Sequence, residues 1–270
     1  MTHRLALAVL ATWLGLALIG PWLAPGADRV DLDWVLATPG ERAWLGHDDL
    51  GRPVWERLVG GARVSLLVAV PAVALSIAVG APLGAFSAWR GGAWDHLATR
   101  VVDVFLAFPG LLLAIALAGT LGPGVGNVVA ALAAVGWVAF ARLARAQTLS
   151  VKARDHVQAA LALGVSHTRV VFRHLLPLVA GPLAVEATFA LAGAVIAEAS
   201  LSFLGLGVQP PTASWGSMIR DGTRYMLVAP HLVLAPGVAL ALVVLAVNLL
   251  GDRLRDRLDV RAMPQRREAA

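Results

Sequence analysis

Two carboxylates stand inside an otherwise uncharged stretch, Glu186 and Glu198, and a third, Asp103, opens another. Twelve residues separate the two glutamates, about 18 Å along a straight helix. That distance is too great for them to flank one scissile bond, so a glycosidase-type carboxylate pair is excluded. Acids within membrane segments mark a solute path or join helices by hydrogen bonds, and both uses stay open for Glu186 and Glu198. Asp103, one turn from Arg100, reads as half of an interfacial ion pair or as part of the same path. His156, His167 and His174 cluster in sequence, but no carboxylate or thiolate completes a ligand set at useful spacing, so no metal site is expected. Neither H-E-x-x-H nor G-x-S-x-G occurs, which leaves an intramembrane hydrolase without its usual signatures.

The surroundings of these residues are those of a membrane protein. Of 270 residues, 58% are hydrophobic and 14% charged, against about 45–50% and about 25% in soluble domains. Mean hydropathy is +0.74. There is no cysteine, so disulfide frameworks, thiolate metal sites and cysteine nucleophiles are absent. About 20 apolar residues cross the hydrocarbon core. Runs of that kind are Leu5–Ala24, Val64–Trp89, Val104–Ala141, Leu175 to about residue 208, and Tyr225–Gly251. The third is too long for one crossing and is divided by Gly122-Pro123-Gly124-Val125-Gly126, a turn signal. Six helices result, an all-α integral membrane protein; continuous Ala- and Leu-rich runs argue against the alternating strands of a β-barrel. Prolines within the spans, Pro71, Pro82, Pro109, Pro177 and Pro182, predict kinks. The first run is long for a signal-peptide core and is expected to be retained as a helix over residues 1–24.

With the N-terminus inside, 15 of the 22 Lys and Arg fall in cytoplasmic segments and 7 outside. This asymmetry predicts both termini in the cytoplasm and accounts for a pI near 11.1 without nucleic acid. The expected organisation is a helix over 1–24, an extracytoplasmic loop over 25–60, a five-helix core over 61–252 and a basic cytoplasmic tail over 253–270. Within the outer loop, Val54–Leu66 reads as an amphipathic lead-in helix. Trp215, Met218 and Ile219 read as a short interfacial helix or lipid anchor.

The long polar insertion, residues 149–173, is a cytoplasmic loop. Asp155 is placed to N-cap a helix over His156–Leu163, Gly164 suits its left-handed terminus, and Ser166 is placed to cap a second short helix over His167–Arg173. Val157, Ala160, Leu161 and Gly164 share one smooth face, which suits either the lipid headgroups or a groove on another protein.

Gln158-Ala159-Ala160, Gly164 and Leu176-Pro177 resemble the cytoplasmic coupling loop of binding-protein-dependent ABC importer permeases, with Gln158 standing where that pattern has Glu. Leu45-Gly46-His47-Asp48-Asp49-Leu50-Gly51-Arg52, the run from Val102 to Pro109, Ala197-Glu198-Ala199-Ser200 and Ser214-Trp215-Gly216 resemble the C-type subunit of dipeptide, oligopeptide and nickel importers. The resemblance spans residues 45–260. It implies a type I permease core, import of peptides or a similar small polar solute, and a coupling site at Asp155, Gln158, Ala159, Ala160, Gly164, Ser166 and Pro177. It also implies a second permease, two ATPase subunits and an extracytoplasmic binding protein. No G-x-x-x-x-G-K-[ST] loop occurs, so ATP and Mg belong to the partners and no cofactor to this chain. An ion-gradient-driven secondary transporter is the alternative; no internal repeat supports it, and it leaves the 149–173 helix pair unexplained.

Overall fold

The computed structural model describes residues 3–258. Five helices are long and apolar enough to cross a membrane, and one bent pair makes a sixth crossing. The first, α1, is His3–Leu23. Next comes α2, Val54–Arg90, a single helix of 37 residues and about 55 Å. The lead-in segment expected over Val54–Leu66 is therefore the first part of this helix, and the core begins before residue 61. Helix α2 runs through Pro71 and Pro82 as one element.

Pro109 does interrupt its span. Helices α3, Gly92–Leu106, and α4, Gly110–Leu121, meet at 84°. Proline lacks the N–H that would continue the ladder, and the residue before it is driven out of the α region. At 12 residues α4 rises only about 18 Å, so the crossing needs part of α3 as well. The expected single span from Val104 is thus two helices, and Asp103 lies in the last turn of α3. Helix α5, Val125–Val151, follows the glycine-rich turn.

Then come α6, Asp155–Ala162, and α7, His167–Val170. The second short helix expected over His167–Arg173 does not stand alone. It continues through a π turn, Val171–Leu175, into α8, Leu176–Phe203. Val170, Val171, Leu175 and Val179 all remain buried along this path, which rewards an unbroken helix. A regular helix would press the Pro177 ring on the Arg173 carbonyl, and the wider turn upstream relieves that clash. Helix α9, Trp215–Thr223, precedes α10, His231–Leu258. The tail expected to start at 253 is helical as far as Leu258; the rest of it, 259–270, lies outside the described residues.

Small side chains bring α2 and α5 into backbone contact. Gly80, Ala81, Gly84, Ala85 and Ala88 are buried along one side of α2. A Cβ on Gly84 would overlap the Ala141 backbone, and one on Gly80 would overlap the Trp137 carbonyl. In lipid no hydrophobic force drives helices together, so close packing of this kind carries the association.

The loop end of the bundle is organised by Asp48. Its carboxylate accepts the backbone N–H groups of Leu50 and Arg52 at 2.9 Å each and the Arg52 Nε at 2.7 Å. It also pairs with Arg57 Nε at 3.2 Å. Arg57, buried on α2, donates to the Pro211 carbonyl at 3.4 Å and the Ala27 carbonyl at 3.5 Å, joining the two outer loops. Trp215 is 2% exposed and donates to the Leu58 carbonyl at 2.9 Å. It is therefore a packed residue and not a lipid anchor. Ser214 caps α9 in a reciprocal bond with Ser217.

Two outcomes test this packing. Gly84→Leu is expected to cost about 1–3 kcal/mol by overpacking, read as a lower Tm in detergent, whereas Gly119→Ala, with open space around it inside α4, is expected to hold or raise Tm. At Asp49, burial first and then the neighbouring Asp48 push the carboxyl above the ordinary carboxylate range. The folded state then binds a proton more readily than the unfolded chain, so stability falls as pH rises from the ordinary value through the raised one. Asp49→Asn is expected to match or exceed the parent Tm at pH 7, with the gap closing on acidification.

Candidate functional site: the 149–173 loop and the cavity beside α3

At the end of the bundle where His3 and Leu258 lie, α6 hangs between α5 and α7. Asp155 is the first residue of α6, and Arg154 holds the N-cap position without a side-chain bond. The expected Asp155 cap is therefore displaced by one residue; its carboxylate sits in the first turn, where it favours the positive end of the helix dipole. Ser166 does hold the N-cap of α7, again without a side-chain cap bond. Gly164 has φ +79°, the left-handed geometry that ends α6, and no atom lies within 4 Å of the Cβ it lacks. Any other residue there is strained by the backbone alone.

The smooth face of α6 points the opposite way from the docking expectation. Val157 is fully buried in a cluster with Val151, Val170, Val171 and Leu175 of this same chain, and Ala160 is only 7% exposed. Apolar burial against its own helices wins over leaving that face open. The face left uncovered is Gln158, Ala159, Ala162 and Leu163, the last 84% exposed. Pro177 is exposed as well, beyond the π turn. Gln158 donates its Nε2 hydrogen to the Lys152 carbonyl at 2.9 Å, closing the turn between α5 and α6, a bond that a carboxylate has no proton to make. Lys152 Nζ donates to the Ala88 carbonyl at 3.2 Å, and Trp89 Nε1 donates to His167 Nδ1 at 3.1 Å. The loop is thereby tied to the end of α2 and to α5, and it runs through the π turn into α8. No three His, Asp or Glu side chains converge as metal ligands among the described residues.

The three acids singled out in the sequence separate into two places. Glu198, 1% exposed, accepts from Ser202 Oγ at 2.8 Å within α8 and from Ser65 Oγ of α2 at 3.2 Å. It joins two helices and has no open space before it. Glu186 and Asp103 line a cavity of about 1100 Å3 between α2, α3, α5 and α8. Asp103 makes no ion pair with Arg100 among the described residues. The interhelical ion pair is Asp95 with Arg145, two bonds of 2.7 and 2.6 Å between α3 and α5. That pair was missed in the sequence because 50 residues separate its members, and no periodicity links α3 to α5.

Residues 80–263 match the family described as binding-protein-dependent transport system inner membrane component. The chain is 42% identical over 245 residues to the glutathione transport system permease protein GsiD of Escherichia coli O1:K1, covering 90% of this chain and 81% of that protein. GsiD of Shigella boydii serotype 4 matches to the same extent. This chain belongs to that permease family. Among solved structures it resembles the methionine ABC transporter MetNI, with TM-score 0.60 at 20% identity, over 74% of this chain and 95% of that one. The permease fold is thus of the type I importer class, all helical, and the chain is a multi-pass membrane subunit of an ABC importer. Membership sets aside the ion-driven secondary transporter.

Removing the carboxylate of Glu198 strands two serine hydroxyls inside the permease. Glu198→Ala is expected to cost about 1 kcal/mol, from two bonds of about 0.6 kcal/mol each. Glu186→Ala, with no bond to lose, is expected to leave stability unchanged. Thermal unfolding of the two variants in one detergent makes the comparison.

Proposed function

We propose that this permease forms one half of the pore of an importer for peptide-like solutes, driven through the 155–173 loop by separate ATPase subunits. A second permease supplies the other half, two ATPase subunits hold ATP and Mg, and an extracytoplasmic binding protein delivers the solute to the Asp48–Arg57 end. Both termini face the cytoplasm, a reading supported by the excess of Lys and Arg at that end. A glutathione-like or other short peptide is favoured as solute because the GsiD proteins are glutathione permeases by name.

The observation that carries the coupling reading is the exposed Leu163 at the C-cap of α6, beside exposed Ala159 and Ala162, on a helix whose Val157 is locked into the core. A lever needs one surface for the partner's grip and another fixed to the load. Leu163 and Ala159 offer the first; Val157 and Ala160 supply the second. A push on α6 then displaces α5 and α8 together, as rigid-body rocking requires. Asp155, Gln158, Gly164, Ser166 and Pro177 shape and terminate the lever, while Ala159 lies on the gripped side. Charging Ala160 would therefore damage the lever's own seating, and Leu163 is the better position to probe.

Because the chain has no cysteine, Leu163→Cys introduces a single crosslinking site. It is expected to capture a nucleotide-binding subunit in a transporting preparation. Leu163→Asp should lower uptake about tenfold or more, a loss of about 1.4 kcal/mol of coupling, with membrane insertion intact. Uptake that persists at the parental rate, with no ATPase captured, would end the coupling proposal.

A further inference from the structure

We infer that the inner cavity is a transit site that recognises solutes carrying both an ammonium and a carboxylate group, through Glu186 and Asp103 for the first and Arg142 for the second. The inference deepens the import reading above and rests on it.

The cavity of about 1100 Å3 lies between α2, α3, α5 and Glu186 of α8. It is an open cleft, with Trp94 and Leu97 on its wall exposed, and its volume is of the order of the ~300–1000 Å3 of small-molecule sites or above. Much of its wall is apolar, including Trp94, Leu97, Val101 and Trp137. Four further charges face it: Asp103 from α3, Arg142 and Arg145 from α5, and Glu186 from α8. Arg145 is neutralised by its two bonds to Asp95. The other three make no salt bridge and no side-chain hydrogen bond among the described residues, and Arg142 does not reach either acid.

Asp103 and Arg142, just outside the apolar run Val104–Ala141, are exposed and Glu186 is half-buried, so these charges meet water at the inner end of the bundle and are free to take the charges of a solute. Here three helices each direct one into the same space. Two acids against one guanidinium leave the cavity anionic, which attracts an ammonium. Arg142 offers a planar fork suited to a carboxylate. A dipeptide extends about 7 Å between its ends, so one molecule can bridge charges too far apart to pair directly. Glu198, enclosed by Ser65 and Ser202, takes no part.

The absence of cysteine makes the test direct. Ala98→Cys puts one thiol on the cavity wall. In inside-out vesicles carrying the complete transporter, a membrane-impermeant methanethiosulfonate reagent is expected to modify it. Ala-Ala with free termini should slow that modification, while N-acetyl-Ala-Ala and Ala-Ala amide need about tenfold more for equal protection, the value of one charge-assisted contact. Glu186→Gln should erase the preference for the free amine, and Asp103→Asn, as a second variant, should weaken it. Arg142→Gln should erase the preference for the free carboxylate. Equal protection by all three peptides in the parent overturns the inference. So does a thiol that reacts only after detergent extraction, which is the behaviour of a lipid-filled cavity. The assay needs no ATP, so it stays readable if the Leu163 crosslink fails, and the two proposals fall separately.

Discussion

The backbone-to-backbone contact of α2 with α5 is the constraint on which the rest of the protein depends. Gly80 and Gly84 let α2 lie against Trp137 and Ala141 with no side chain between them. Tight packing matters here because a membrane interior offers little other reason for helices to associate. Helix α2 then serves as a spine of 37 residues, and each working part of the molecule is referred to it. Arg57 near its start gathers both outer loops, Ser65 holds Glu198 of α8, and Ala88 and Trp89 at its end hold Lys152 and His167.

That arrangement separates stiffness from motion. The seam and the Glu198 bonds unite α2, α5 and α8 into one packed unit, on which the α6 lever proposed above would act. The weaker element is α3. It turns away from α4 by 84° at Pro109 and is held to α5 by the half-buried Asp95–Arg145 pair, by Val102 packed on Val138 and Ala141, and by the Phe105–Trp137 contact at 5.3 Å. Helix α3 forms one wall of the cavity.

Much of the architecture was legible in the residues. The number of crossings follows from runs of apolar length, and the Gly122–Gly126 turn falls between α4 and α5. Gly164 takes the left-handed backbone expected of it. Local rules failed where packing overrode them. The smooth face of α6 reads equally as a docking face or a core face, since periodicity says which residues share a side and nothing about what that side meets. Val54–Leu66 and Val64–Trp89 read as two elements because charged residues interrupt the apolar run, yet Arg57 is buried with Asp48 as its counter-ion and the helix continues. Trp215 looked like a lipid anchor, but its indole found the Leu58 carbonyl.

By itself the sequence determined that this chain crosses a membrane as helices, carries no nucleotide loop and resembles one class of importer subunit, because length, composition and short motifs are properties of consecutive residues. Tertiary structure alone decided which carboxylate is glue and which faces open space, and which side of α6 is left exposed. Glu186 and Glu198 lie on one helix in similar apolar company. Only the serine of α2 beside one, and the space between α3 and α5 beside the other, set them apart.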